Sequence, residues 1–233
     1  FAQVGNDMDA YQLYNTYSIG SDPNGNTTAG QGKTKYDADV RSELITSWEA
    51  GAELKFFNNR LGVDFAWYKT NAKRQLMNIP LNNLSGYDNM KVNAGNIQNT
   101  GIEIMLNARP IETAQFSWDT QLNFSQNKSK IIELLPGKPG MQYALGGSDA
   151  LQVYAVAGGA YGEIWGTKYQ RVEEGEFKGQ LLLNESGLPQ ATSDKHKIGE
   201  QQPDFLLGWT NTFNYKNFTL SFLIDGRFGG DIF

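Results

Sequence analysis

Hydrophobic and polar residues alternate along six segments of the chain, with one exception at Leu223, which is the pattern of β-strands with one apolar face. The predicted strands cover residues 46–57, 61–68, 100–108, 116–126, 205–215 and 218–228. All seven prolines lie outside these segments, as expected because proline cannot donate a hydrogen bond to a strand ladder. The pattern therefore predicts an all-β protein built from antiparallel, up-and-down hairpins.

The connections between the predicted strands are of two kinds. Short polar turns within the hairpins span residues 58–60, 109–115 and 215–217. Longer connections, rich in Gly, Asn, Ser and Asp, span residues 5–45, 69–99 and 127–204. Short turns at one end and long extracellular loops at the other are typical of transmembrane β-barrels. Within the longest loop, strand-like stretches at 153–156 and 163–171 predict a small sheet of its own.

Alternation alone fits two environments for the apolar face, a soluble core or lipid. The polar face is made mostly of Ser, Asn, Gly, Asp, Glu and Thr and carries few Lys, unlike a solvated face rich in both Lys and Glu, which favours the wet interior of a barrel. Trp48 and Phe56 lie about 19 Å apart along the membrane normal, at ~3.3 Å per residue and ~45° tilt, comparable with the ~25 Å apolar band between aromatic girdles. The residues predicted to face lipid are Trp48, Leu54, Val63, Phe65, Trp67, Ile104, Leu122, Leu220 and Phe222.

The amino-acid composition argues against several classes of function. A net charge of -5 argues against a nucleic-acid partner, and no Cys with only one His excludes thiolate and multi-histidine metal sites. No apolar run approaches the ~20 residues of a membrane-spanning helix. Six strands are fewer than the ~8 of the smallest barrels, and the chain begins without Met or a signal peptide. We therefore expect a piece of a larger barrel.

Seven groups of residues follow one another in a recognisable order. They are VGND (4–7), SWEAGAEL (47–54), FFNNRL (56–61) with YKT (68–70), NIQNTGIE (96–103), FSW (116–118), IG (198–199) with PDF (203–205) and TN (210–211), and FGGDI (228–232). Together they resemble the C-terminal half of a SusC/RagA-type TonB-linked outer-membrane transporter of Bacteroidetes.

This resemblance implies a barrel of about 22 strands with an N-terminal plug, in the bacterial outer membrane. It also implies a SusD-like surface lipoprotein and TonB as partners, and oligosaccharides or peptides as imported cargo. No plug or N-terminal region is visible in this sequence, and no enzymatic activity or cofactor is implied. One departure from the family pattern is that residues 173–187 lack the closely spaced Asp of an acidic loop that family members often carry, which puts a calcium-type site there in doubt.

Other chemical interpretations are weaker. His196 lies among charged loop residues with no nucleophile motif, and Gly158–Gly162 lacks the Lys-Ser/Thr of a phosphate-binding loop. Asp22 could begin a calcium loop, but no Glu follows at the twelfth position, so a plain turn is favoured. Carboxylates that could form a glycosidase pair sit at alternate strand positions, as expected for charges lining a wall, at Glu49, Glu53, Asp64, Glu103 and Asp119.

Aromatic residues in the long loops are the strongest candidates for binding. Such rings stack on sugars or pack against partner proteins, although packing among the loops themselves is an equal alternative. The candidates for cargo or partner contact are Tyr87, Tyr143, Tyr154, Tyr161, Trp165 and Tyr169. The sequence thus favours a transporter segment, with a soluble carbohydrate-binding or adhesive module as the alternative and a glycosidase as a second rival.

Overall fold

The structure of the protein, a computed structural model, describes residues 1–6 and 14–232. Residues 7–13 of the predicted 5–45 loop lie outside this part of the chain. The described residues form fourteen strands: β1 Ala2–Asn6, β2 Tyr17–Ser21, β3 Thr27–Gln31, β4 Thr34–Tyr36, β5 Glu43–Phe56, β6 Leu61–Pro80, β7 Asn89–Glu112, β8 Phe116–Glu133, β9 Gln142–Gly147, β10 Leu151–Val156, β11 Tyr161–Gly166, β12 His196–Glu200, β13 Phe205–Tyr215 and β14 Phe218–Phe228. A single turn of 3-10 helix, Asn83–Ser85, joins β6 to β7.

Eight of these strands form one open sheet. Its order is β1-β5-β6-β7-β8-β13-β14, with antiparallel neighbours throughout, and the short β4 adds to β7 in parallel. From β5 to β8, and again from β13 to β14, sequence neighbours are sheet neighbours, so the predicted all-β, up-and-down architecture is confirmed. Among the described residues, no helix is long and apolar enough to cross a membrane.

The predicted strands are present, but four of them are longer than the hydrophobic pattern indicated. β13 and β14 have the predicted bounds, whereas β6 continues to Pro80 and β7 begins at Asn89. The two remain paired from Lys69↔Thr100 to Pro80↔Asn89. The prediction of a loop at 69–99 was therefore wrong, since only residues 81–88 connect the strands.

The physical reason for this error lies in the composition of the strand extensions. Around Lys73, Arg74 and Gln75, polar side chains occur on both faces, so the period-2 hydropathy signal ends. The backbone ladder is interrupted at one position, Arg74, and resumes at Gln75↔Ala94, because its hydrogen bonds do not depend on an apolar face. The predicted loops 5–45 and 127–204 contain strands for the same reason: β8 continues to Glu133, and β2, β3 and β4 lie within the first of them.

The predicted small sheet within residues 127–204 is present. Its order is β12-β11-β10-β9, and β10 includes the predicted 153–156, while β11 ends at Gly166, before the predicted 171. Its core lies against the end of β8, where Ile131, Leu134 and Ala155 are almost completely buried. A separate two-stranded ribbon, β2–β3, has side chains exposed along both strands.

Candidate functional site

The strand register gives the main sheet one apolar face and one polar face. Directly paired residues of antiparallel strands lie on the same face. One row of successive pairs crosses six strands and is wholly apolar: Leu54, Val63, Leu106, Leu122, Trp209 and Ile224. The next row lies on the opposite face and is largely polar: Lys55, Gly62, Asn107, Gln121, Thr210 and Leu223.

The apolar face is open to its surroundings. The exposed fraction is 58% for Trp48, 63% for Leu220 and 55% for Ile224. All nine residues predicted to face lipid lie on this face, and Val63, Trp67, Ile104 and Leu122 are half-buried by their neighbours. An exposed apolar surface that extends over six strands is far larger than the isolated patches of soluble monomers. Contact with lipid itself stays a prediction.

Aromatic rings border this apolar face at both ends of the strands. Close to the short turns, Phe213 stacks with Trp118 at 5.7 Å and with Phe116 at 6.4 Å between ring centroids. Toward the other end, Phe205 stacks with Phe228 at 4.5 Å and lies 5.6 Å from Phe124. The apolar band therefore has an aromatic border on each side, which is the arrangement of a transmembrane β-barrel wall.

The polar face carries a shallow recess of about 540 Å³. Its lining combines Met105, Leu206 and Leu223 with the carboxylates of Asp64, Glu103 and Asp225. Within the described part of the chain, these three carboxylates form no ion pair. Of the carboxylates considered above as a hydrolytic pair, Glu53 is bound by Lys55 at 2.7 Å and Asp119 by Arg109 at 2.6 Å. Glu53 and Asp119 are therefore ion-paired charges on the polar face rather than a free hydrolytic pair.

A tyrosine ring on the polar face lies over a glycine of the adjacent strand. Tyr68 of β6 is paired with Gly101 of β7, and a Cβ at Gly101 would overlap the Tyr68 ring. The Tyr68 hydroxyl donates to Asn127 Oδ1 of β8 at 3.3 Å. One side chain thus links three strands, and this is possible because residue 101 has no side chain.

The three short turns gather at one end of the sheet, here called the short-turn end. Arg60 of the first turn donates from Nε to the Arg109 carbonyl at 3.2 Å and from Nη2 to the Pro110 carbonyl at 2.9 Å. The Lys216 amide of the third turn donates to the Gln115 carbonyl at 2.9 Å. The opposite end of the sheet, the long-loop end, carries β2–β4 and the small sheet.

The small sheet packs on the polar face of the main sheet. Ile97 and Ile131 are directly paired, and both are in phase with Gly101 and Asn127 on the polar face. Backbone hydrogen bonds join the segments, since the Ile131 amide donates to the Gly159 carbonyl and the Gly158 amide to the Ile131 carbonyl, each at 2.8 Å. These bonds explain the Gly158–Gly162 segment as a structural contact rather than a phosphate-binding loop.

A buried carboxylate ties the strands of the small sheet together. Glu163 is only 6% exposed, and its Oε1 accepts from Lys197 Nζ at 2.9 Å while its Oε2 accepts from Trp165 Nε1 at 3.0 Å. Lys197 also donates to Glu200 at 3.1 Å. Burial alone would lower the pKa of Lys197, but the hydrogen bonds to both glutamates outweigh it and raise that pKa.

The six aromatic candidates from the sequence are not gathered in one place. Tyr143 packs against the buried core, and Tyr154 and Trp165 form an edge-to-face pair at 6.2 Å within the small sheet. Tyr161 and Tyr169 are exposed, and Tyr169 lines a shallow recess beside His196. Tyr87 lines a different recess. Whether any of them contacts cargo or a partner stays a prediction.

The recess beside Tyr87 brings together residues that the sequence had not grouped. About 190 Å³ in volume, it lies between the β2–β3 ribbon and the turn that joins β6 to β7. Its lining consists of Asn15, Thr16, Tyr17, Gln31, Gly32, Lys33, Thr34, Tyr36 and Tyr87. Tyr36, Asn15 and Gln31 were missed because they are spaced irregularly, and only the pairing of β4 with β7 brings them close.

Asp22 forms a turn. Its Oδ1 accepts from the amides of Asn24 at 2.9 Å and Asn26 at 2.8 Å, and its Oδ2 accepts from the Asn26 side chain at 2.9 Å. The hydrogen bond from the Asn26 side chain, followed by those from the backbone, lowers the pKa of the Asp22 carboxyl. The carboxylate is thus used within its own turn, as the plain-turn interpretation predicted.

Comparison with known families gives a match over nearly the whole chain. The family described as "TonB dependent receptor-like, beta-barrel" matches residues 2–225. TonB-dependent receptor P3 of Formosa agariphila is 29% identical over 210 residues, which cover 83% of this chain and 21% of that protein. TonB-dependent receptor SusC of Bacteroides thetaiotaomicron is 29% identical over 235 residues, covering 94% and 23%. The chain therefore spans about a fifth to a quarter of the length of these relatives.

Solved structures show the same fold. The RagAB peptide transporter matches with a TM-score of 0.71 at 18% identity, covering 96% of this chain and 25% of that chain. The RagAB peptide importer in its open-open state matches with a TM-score of 0.74 at 16% identity, covering 98% and 25%. At such low identity these structures support the fold alone.

Proposed function

The chain belongs to the family of TonB-dependent receptor-like β-barrels, and from this premise we propose that it forms part of the wall and the long-loop end of an active importer. Members of the family are transporters rather than enzymes, and their location is the bacterial outer membrane. In this proposal the apolar face contacts lipid and the polar face lines the lumen. The short-turn end faces the periplasm, and the long-loop end faces the outside of the cell.

The observation that carries this proposal is the pair of opposite rows across six strands. The row through Val63 is apolar at every position, and the adjacent row through Gly62 is largely polar. A sheet between lipid and a wet lumen needs this division. The alternative, a soluble carbohydrate-binding or adhesive module, needs the apolar row to be covered, and among the described residues much of the apolar face is exposed.

We further propose a SusD-like surface lipoprotein as partner, TonB as energy source, and oligosaccharides or peptides as cargo. A relative named SusC and the fold shared with RagAB support this assignment. The small sheet supports it physically, because it packs over the polar face and presents an ordered surface above the proposed lumen. An ordered surface binds with less entropy loss than a mobile loop.

Uptake by intact cells tests this function. A strain that lacks the full-length gene is complemented with the wild-type gene, with and without a functional TonB, and fed fluorescent neutral hexasaccharides or hexapeptides. Uptake should require both the gene and TonB, and the protein should sediment with outer membranes. Recovery in the soluble fraction, or uptake that is independent of the gene, would contradict the proposal.

A further inference from the structure

We propose that the recess beside Tyr87 binds a single ring of a neutral glycan. This inference rests on the proposed function and narrows its cargo from oligosaccharides or peptides to neutral oligosaccharides. It assigns the recess as one subsite at the long-loop end. The argument depends on how the recess is built, which groups are free within it, its size and its charge.

Three separate segments build the recess. Tyr17 and Gln31 are directly paired in the β2–β3 ribbon, so their side chains lie on the same face. β4 is held against β7, where Tyr36 is paired with Lys91, and the Tyr36 amide donates to Asn15 Oδ1 at 2.9 Å. The Lys33 carbonyl accepts from the Asp88 amide at 2.8 Å, which fixes the turn that carries Tyr87. Backbone bonds therefore hold the walls in place, so the side chains are left free.

The free groups are those that recognise a polyhydroxylated ring. The hydroxyls of Tyr17, Tyr36 and Tyr87 have no hydrogen-bond partner within residues 1–6 and 14–232. The same holds for the side-chain amide of Gln31 and for Nδ2 of Asn15. Phenol hydroxyls and amides both donate and accept, as sugar hydroxyls do, and the ring faces provide apolar contact for C–H groups.

The size of the recess suits one ring rather than a whole chain. Its volume of about 190 Å³ corresponds to roughly six water molecules at ~30 Å³ each. Pockets that enclose a complete drug-sized ligand are larger, at about 300–1,000 Å³. A glycan would therefore place one residue in the recess and extend from it in both directions.

The charge of the recess favours a neutral ligand. Among the described residues, Lys33 is the only charged one in its lining; it forms an ion pair with Asp88 at 3.7 Å and is 75% exposed at its side chain. A site for a peptide carboxylate or a phosphate needs convergent cations, and a site for an amine needs unpaired carboxylates. Among the described lining residues neither is present, whereas three phenols and two amides are.

Radical footprinting of the purified full-length transporter tests this assignment. The probes are maltohexaose, cellohexaose, mannohexaose and a neutral Gly-Ser hexapeptide, and oxidation is quantified at each tyrosine by mass spectrometry. The glycan that cells import should reduce oxidation of Tyr17, Tyr36 and Tyr87 several-fold. Tyr215, at the short-turn end and 51% exposed, reports radical scavenging by the sugar and should change little.

Substitutions separate a loss of glycan binding at the recess from a general disturbance of the fold. Tyr87→Ala removes a ring contact and a hydrogen bond, so the affinity for the imported glycan should fall about tenfold. Gln31→Ala should weaken binding less, because it removes hydrogen bonds alone. Leu84→Ala is the matched control, since Leu84 lies on the same turn, is 94% exposed and does not line the recess.

The outcomes distinguish this inference from the proposed function. If a glycan is imported but none of the three tyrosines is protected, the subsite is wrong and the transporter assignment stands. If the hexapeptide is imported and no glycan is, the inference is likewise overturned. If neither class is imported, the proposed function fails and the subsite assignment fails with it.

Discussion

The absence of a side chain at Gly101 allows Tyr68 to connect three strands. The Tyr68 ring occupies the position of an absent Cβ and reaches Asn127 on the next strand. Gly101→Ala should displace the ring and cost ~1–3 kcal/mol of barrel stability. Urea unfolding in vesicles measures this change. Because the two residues are in contact, the Gly101→Ala/Tyr68→Ala double variant should lose less than the sum of the single losses. Additive losses would show that the contact carries no energy.

A charge introduced at Val63 tests whether the apolar face contacts lipid or water. It lies in the central apolar row, between Leu54 and Leu106. Val63→Arg should destabilise the barrel by ~2–4 kcal/mol, since a cation near the middle of the lipid band is poorly solvated. Asp64→Arg is the matched control because it places the same charge one residue away on the polar face, where it should cost little. Equal stability of the two variants would refute the assigned facing.

At the scale of elements, a partly buried ion pair joins two strands of the small sheet. Lys197→Met leaves the Glu163 carboxylate, 6% exposed, without its cation. Since the Lys197 side chain is 42% exposed, the expected loss is modest, about 1–2 kcal/mol. Faster amide exchange in β10, β11 and β12 should report it. Lys178→Met, in the loop after β11, is the control and should leave exchange unchanged.

The raised pKa of Lys197 predicts that the stability of the small sheet depends on pH. The folded pKa of Lys197 is raised above its ordinary value of 10.5. Its contribution to stability should therefore be complete below about pH 10.5 and be lost as the pH rises through the higher folded value. The protection of the small sheet's backbone amides from exchange should fall at that alkaline limit in the wild type, and it should fall less in Lys197→Met. Identical pH profiles would exclude Lys197 as the titrating group.

The turns give the orientation of the wall. Epitope tags inserted at Asn59 and Thr113 lie at the short-turn end and should be hidden from antibody on intact cells. A tag at Gly175, in the loop between β11 and β12 with nothing within 4 Å of a Cβ there, should be labelled. Permeabilised cells provide the control for tag exposure. Surface labelling at either short turn would reverse the topology.

The strand cores were predictable from sequence because one face is apolar, as at Trp48 and Leu220. The extensions beyond Tyr68 were not, since around Lys73 both faces are polar and only the ladder reveals a strand. The recess was partly predictable: Tyr87 was a candidate, but Tyr36 reaches it only through the pairing of β4 with β7. Such contacts between distant segments leave no periodic signal in the sequence.

At the scale of the whole molecule, the sheet requires neighbours. Among the described strands, β14 pairs only with β13, and residues 48–56 of β5 pair only with β6. In lipid an unpaired edge leaves backbone groups unsatisfied, so the proposed wall needs further strands on both sides. The relatives are four to five times as long as the matched segment, which is consistent with this requirement.

The most direct test of the two-faced wall is a spin-label scan of β6 in the full-length transporter, reconstituted in lipid vesicles. This chain contains no Cys, so labels can be placed singly at each position from 61 to 68 once any cysteine elsewhere in the protein is removed. Collision rates with oxygen, which concentrates in lipid, should peak at 61, 63, 65 and 67. Rates with a water-soluble nickel complex should peak at 62, 64, 66 and 68. Oxygen and nickel profiles that rise and fall together, or that show no period of two, would contradict the account.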